Sequence, residues 1–152
     1  MMYEELVCEA QESDVEVIEI NFKGNLKGLY SQNTIAIDSK LETNKEKRCV
    51  LAEELGHHHT SFGNILSTKD IRNVKQEKFA RNWGYEKLVG IIDIINAFKA
   101  NARNRCDMAE YLNVTEDFLD ASIQHYREKY GLCCEIDHYI VYFDPLGVLE
   151  MF

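Results

Sequence analysis

A chain of 152 residues, 45% hydrophobic and 28% charged, has the size and composition of one globular domain with an interior of its own. Its formal net charge of -9 works against nonspecific binding to nucleic acid, where neutralising phosphates supplies most of the affinity. No apolar run approaches the roughly 20 residues needed to cross a bilayer, and the start Met1-Met2-Tyr3-Glu4-Glu5 lacks the basic and apolar segments of a secretory leader, so a cytoplasmic location is expected.

Glu4 to Glu12 has helical spacing, with Leu6, Val7 and Ala10 available for one face. The β-branched run Val15, Val17, Ile18 and Ile20 predicts a strand ending near Asn25. Leu29 to Tyr30 and Thr34 to Ile37 predict two further short strands around a turn at Ser31-Gln32-Asn33. Thr43-Asn44-Lys45-Glu46 is a capping-box pattern, in which the Thr43 hydroxyl accepts from an early helical amide and Glu46 reaches back. The helix it opens is expected to run to about His59 and to break at Ser61-Phe62-Gly63-Asn64.

A second long helix is expected from about Thr68 to Val89, with Gly90 ending or kinking it. From Ile91 to Tyr130 the pattern stays helical, with a pause at Leu112-Asn113-Val114 and a cap at Thr115 ahead of Glu116 and Asp117. Gly131 suits the C-terminal end. The tail from Cys133 to Phe152 alternates apolar and polar residues around Asp144-Pro145-Leu146-Gly147, which predicts a closing β-hairpin. The fold class is therefore α+β, a small sheet packed on several helices. The odd set Cys8, Cys49, Cys106, Cys133 and Cys134 has no CxxC pair and no framework spacing, so all five are expected to be structural, with the adjacent Cys133 and Cys134 alternating across a strand as buried or half-buried thiols.

The chemistry is concentrated in Leu51-Ala52-Glu53-Glu54-Leu55-Gly56-His57-His58-His59-Thr60, one substitution from the zincin pattern H-E-x-x-H, with Glu53 at the first histidine position. Residues four apart lie about one helical turn from each other on one face and can share a metal. Helical rotation turns Glu53 and His57 away from Leu51, while Leu55, His58 and His59 lean towards the leucine side. If the leucines mark the core, Glu53 and His57 share the face left for a site. Glu54 flanks that pair, where a general base for a metal-activated water belongs. An ordinary solvated helix face carries the same residue types at the same spacing. On the following helix Glu77 shares a stripe with Ala80 and Gly84, small residues that let a neighbouring helix approach. Phe79 and Trp83, four apart, form a separate stripe expected to face the core.

The run LAEELGHHHT followed by QEKFARNWGYEKLVG resembles the ImmA/IrrE metallopeptidase family, in particular its phage and mobile-element type. AEYLNVTEDFLDASIQHYREKYG and HYIVYFDPLGVLEMF are similar to the same group, so the resemblance covers nearly the whole chain. It implies a zincin-like single domain, with a metal-site core over 1-90, a helical hairpin over 91-131 and a C-terminal β-hairpin over 132-152. It further implies Glu53, His57 and Glu77 as metal ligands, Glu77 in an E-x-x-A context with Ala80, and Glu54 as catalytic base. The family's commonest pattern has histidine where this chain has Glu53; glutamate is familiar in the phage-type members. One imidazole and two carboxylates suit zinc, and the harder donor set also admits manganese or iron. The activity implied is a zinc-dependent endopeptidase cleaving a protein substrate, a helix-turn-helix repressor of a phage or mobile element. Tyr85 and His138 are candidate donors to the oxyanion.

Two other readings stand beside it. One is a catalytically inactive protein-interaction domain that binds a repressor or antirepressor. The other is a DNA-binding regulator, since Asp107 to Leu119 has the look of a helix-turn-helix. Its second helix opens with Glu116 and Asp117 and continues through Asp120, which repel phosphate, so direct nucleic-acid binding is not expected.

Overall fold

The computed structural model describes residues 2-60 and 71-151, the side chains of 71-73 excepted. The architecture is mixed α+β, as the residue patterns predict, and the chain divides into two compact units, Met1–Gly84 and Tyr85–Phe152. No helix among the described residues is long and apolar enough to cross a membrane.

In the first unit, α1 (Tyr3–Glu12) leads into a three-stranded sheet of β1 (Glu16–Ile20), β2 (Gly28–Ser31) and β3 (Thr34–Asp38) in the order β1-β3-β2. β1 runs parallel to β3, and β2 antiparallel to it. Gln32 and Asn33 turn β2 into β3 with φ of 47° and 61°, the left-handed pair that a two-residue hairpin needs. Strand alternation then puts Ile35 and Ile37 on one face, where both are wholly buried with Leu6, Leu51 and Leu55 against α1 and α2 (Asn44–Thr60). The expected capping box is half realised: the Glu46 amide donates to Thr43 Oγ1 at 3.1 Å and starts α2. The breaker expected at 61-64 and the first residues of the second long helix lie outside the described residues. That helix, α3 (Ile71–Leu88), is described from Ile71 onward and ends close to the expected position.

The second unit holds α4 (Ile91–Lys99), α5 (Arg105–Leu112), α6 (Glu116–Tyr130) and an antiparallel sheet of β4 (Cys133–Ile136), β5 (Tyr139–Phe143) and β6 (Leu146–Glu150). Gly90 is the N-cap of α4, and its amide donates to the Asp93 carboxylate at 3.0 Å. The pause between α5 and α6 falls where expected: Asn113 takes φ 57°, and Thr115 Oγ1 accepts from the Phe118 amide at 3.1 Å. Two details differ from the residue patterns. Ala100 to Asn104 separates α4 from α5, and the closing element has three strands, because β4 joins the β5-β6 hairpin through a turn at Asp137 and His138. Tyr126 anchors the core, wholly buried with its hydroxyl donating to the Val89 carbonyl at 2.7 Å. All five cysteines are free; on β4 Cys134 is half-buried as expected, whereas Cys133 is exposed, contrary to expectation, as are Cys8 and Cys106.

Candidate metal centre

Small residues set the geometry of the site. On α2, Ala52 and Gly56 are one turn apart; on α3, Ala80 and Gly84 are one turn apart. A Cβ on Gly56 would lie 2.0 Å from the Ala80 carbonyl oxygen, and one on Gly84 would lie 3.2 Å from the Ala52 carbonyl. The two helices therefore touch backbone to backbone, running antiparallel. The residues beside that crossing are the ones singled out by the motif: Glu53, Glu54 and His57 on α2, and Glu77 on α3.

His57 and Glu77 meet directly, with Nε2 to Oε2 at 3.0 Å and the His57 side chain only 14% exposed. This hydrogen bond to Glu77 raises the proton affinity of His57, partly opposed by burial, and lowers that of Glu77. Glu53 is raised above the usual carboxylate range, chiefly by burial; Arg81 is the strongest opposing influence and Glu77 the next contributor. Glu54 is pushed up to about 7, again chiefly by burial, with His57 pulling it down and Glu53 and Glu77 adding to the rise. Three carboxylates thus stand around one imidazole: Glu77 makes both Glu53 and Glu54 harder to ionise, and Glu53 adds to the rise at Glu54.

His57 and Glu77 are in contact, whereas Glu53 lies outside that contact within their electrostatic reach. Among the described residues no three histidine, cysteine or carboxylate side chains are arranged as a ready cation cage. Arg81, one turn along α3 from Glu77, places Nε 3.4 Å from Glu77 Oε1 and supplies positive charge there. In the sequence Arg81 is marked only by its four-residue spacing from Glu77, the ordinary one for an ion pair on a helix. The donor set fits a divalent cation on chemical grounds, one imidazole nitrogen with carboxylates whose mutual repulsion and burial a cation would relieve.

β2 lines the other side of α2. A Cβ on Gly28 would meet Val50 Cγ1 at 2.5 Å and the Glu54 side chain at 3.1 Å, so the bare backbone of Gly28 is what leaves room for Glu54. Two residues on, and on the same face of β2, the Tyr30 hydroxyl is hydrogen-bonded to His58 Nδ1 at 2.8 Å. His58, His59 and Trp83 continue as a run of ring contacts, with His59 stacked on Trp83 at 4.7 Å. The Tyr30–His58 pair was not foreseen; a tyrosine two residues beyond a glycine gives no signal until the strand is laid on the helix.

One expectation needs correction. Phe79 does not face a core: it is 59% exposed, because Ala80 and Gly84 occupy the side of α3 turned to α2 and Phe79 lies about 100° away. Of the two candidate oxyanion donors, Tyr85 packs edge-on to Phe118 and His138 pairs with Glu150 at 3.1 Å, both contacts within the second unit. Comparison with family models, curated proteins and solved structures returned no match for the chain.

Proposed function

We propose that the chain is a metal-dependent endopeptidase of zincin-like type, with Glu53, His57 and Glu77 as metal ligands and Glu54 as the proton-transfer group. The observation that carries this reading is the His57–Glu77 contact across the backbone-tight crossing of α2 and α3, beside two half-buried carboxylates of raised proton affinity. The resemblance of LAEELGHHHT and QEKFARNWGYEKLVG to the ImmA/IrrE family supports it from the sequence side. Zinc, or manganese or iron given the hard donor set, would supply Lewis acidity, activating a water and polarising a peptide carbonyl.

The remaining work falls to the chain's own side chains. Glu54, held near neutrality by burial, accepts a proton at its carboxylate from the attacking water and returns it to the leaving amine. Gly28, without a side chain, leaves the space that the Glu54 side chain occupies. The Glu77 carboxylate holds His57 by its Nε2, fixing the ring before a cation arrives. The substrate in this reading is a protein, a helix-turn-helix repressor of a phage or mobile element.

Elemental analysis of protein purified without chelator or affinity histidines tests the assignment. About one equivalent of zinc, manganese or iron in the parent and little in Glu77→Ala is expected. Equal metal in both removes Glu77 from the ligand set. Glu54→Gln is expected to keep its metal and to lose repressor cleavage by about a thousandfold. A parent that binds metal and repressor without cutting it identifies the alternative, an inactive interaction domain.

A further inference from the structure

The second unit carries a cavity of about 380 Å³ that the peptidase reading does not use. It runs along α6, whose Leu119, Ile123 and Arg127 lie one turn apart on one face over about 12 Å. Its apolar lining is the half-exposed Ile123 and Leu146 together with the buried Leu119 and Phe143. Its rim is cationic, with Arg103, Arg105 and Arg127 against a single lining carboxylate, Asp120.

The three arginines are not equivalent. Arg105 is committed to the fold, gripping Asp120 through Nε and Nη2 at 2.7 to 3.0 Å and reaching Glu116 at 3.1 Å. Arg127 has one exposed partner, Asp144, at 3.4 Å, a contact that water and other anions compete for. Arg103 forms no ion pair among the described residues; its guanidinium lies over the Phe98 ring. Two guanidiniums are therefore available beside an apolar trough, on a chain whose formal net charge is -9.

We propose that this groove docks an acidic peptide segment of a partner protein, with apolar side chains seated on Ile123 and Leu146 and flanking carboxylates taken by Arg103 and Arg127. The charge on the rim selects the occupant: an arginine presents its planar donors to a carboxylate, and an apolar side chain beside that carboxylate fills the trough. The volume holds a few side chains, not a folded surface. This proposal is independent of the peptidase reading, since every residue it uses lies within Tyr85–Phe152.

The test is fluorescence anisotropy on the full chain with a short fluorescein-labelled peptide alternating glutamate and leucine. The control is the same peptide with glutamine in place of glutamate. The acidic peptide is expected to bind about tenfold more tightly than the control. Arg103→Gln and Arg127→Gln are each expected to weaken it about fivefold. Both residues are exposed, and unchanged thermal melting of the variants excludes a folding defect. Equal affinity for the two peptides, parent-like affinity in both variants, or no binding of either peptide overturns the proposal. Metal content and hydrolysis, which these variants leave alone, report separately on the site in the first unit.

Discussion

The chain pairs helices in two different ways. α2 and α3 meet through Ala52, Gly56, Ala80 and Gly84, with so little side chain between them that backbone faces backbone. α5 and α6 meet through a turn and a set of surface ions, Asn113 reversing the chain and Arg105 reaching across to Asp120, Glu116 and Asp117. Acidic residues abound in both places, yet they behave differently. Beside the tight crossing, burial holds Glu53 and Glu54 towards their neutral forms. On α6 the carboxylates stay in water and act as ion-pair partners. Burial, more than residue type, decides whether a carboxylate does proton chemistry or holds a surface together.

Breaking the tight crossing should have the largest effect. Gly56→Ala places a methyl 2.0 Å from the Ala80 carbonyl oxygen, and because that obstacle is backbone the helices must separate. A loss of about 3 kcal/mol in urea unfolding is expected, with weakened metal binding alongside. Gly84→Ala meets Ala52 only at 3.2 Å and should cost visibly less. Equal, small effects at the two glycines would mean that the crossing is looser than described.

The proton affinities sharpen the contrast next. Glu54 titrates near 7 in the folded protein against an ordinary 4.5, so between those values the fold keeps a proton that the unfolded chain has released. Glu53 and His57 are shifted in the same direction, and Glu77 in the opposite one. For the raised groups the stabilisation is complete below the unfolded value and is lost as pH rises through the folded one. Metal-free protein should thus be more stable near pH 5 than near pH 8, by on the order of 2 kcal/mol. Glu54→Gln, neutral at every pH, should flatten much of that slope and be the more stable form at pH 8. Urea unfolding in chelator at the two pH values checks both, and a parent stability that rises from pH 5 to pH 8 would contradict the burial argument.

The sequence made the two regions unequally legible. Local chemistry announced itself: the Thr43 and Thr115 caps, the Asn113 pause and the turn at Gln32-Asn33 are short-range signals, and each lies where the residues put it. The Glu77-Ala80-Gly84 stripe predicted a close neighbour, and Gly56 meets Ala80 there. What the residues withheld was long-range. Nothing in Gly28 or Tyr30 shows that β2 will lie along α2 until the sheet is assembled, nor that Arg81 will shadow Glu53 from the next helix. Phe79 misled because a four-residue apolar spacing marks a stripe without saying which stripe wins the contact; the smaller residues won it.

Caps give a middle-sized effect on the α5–α6 side. Thr115→Ala removes the acceptor for the Phe118 amide and should cost about 1 kcal/mol in chemical unfolding. Thr115→Ser, which keeps the oxygen, should recover most of it. The same loss in both variants would assign the effect to the lost methyl instead of the cap.

The smallest effect is expected at the residue with the most ionic contacts. Arg105 touches Asp120, Glu116 and Asp117, yet its side chain is 49% exposed, and Asp117 is fully in water. Exposed pairs gain little, because water already solvates both charges and holding long side chains together costs entropy. The bidentate grip on Asp120 is the one contact with geometry enough to matter. Arg105→Gln should therefore shift thermal melting only slightly at low salt, and the shift should vanish in high salt, where screening removes the attraction between exposed charges. A large, salt-insensitive loss would show that α5 and α6 are held by a desolvated ion cluster after all, and the distinction between a crossing with half-buried carboxylates and a solvated one would fall.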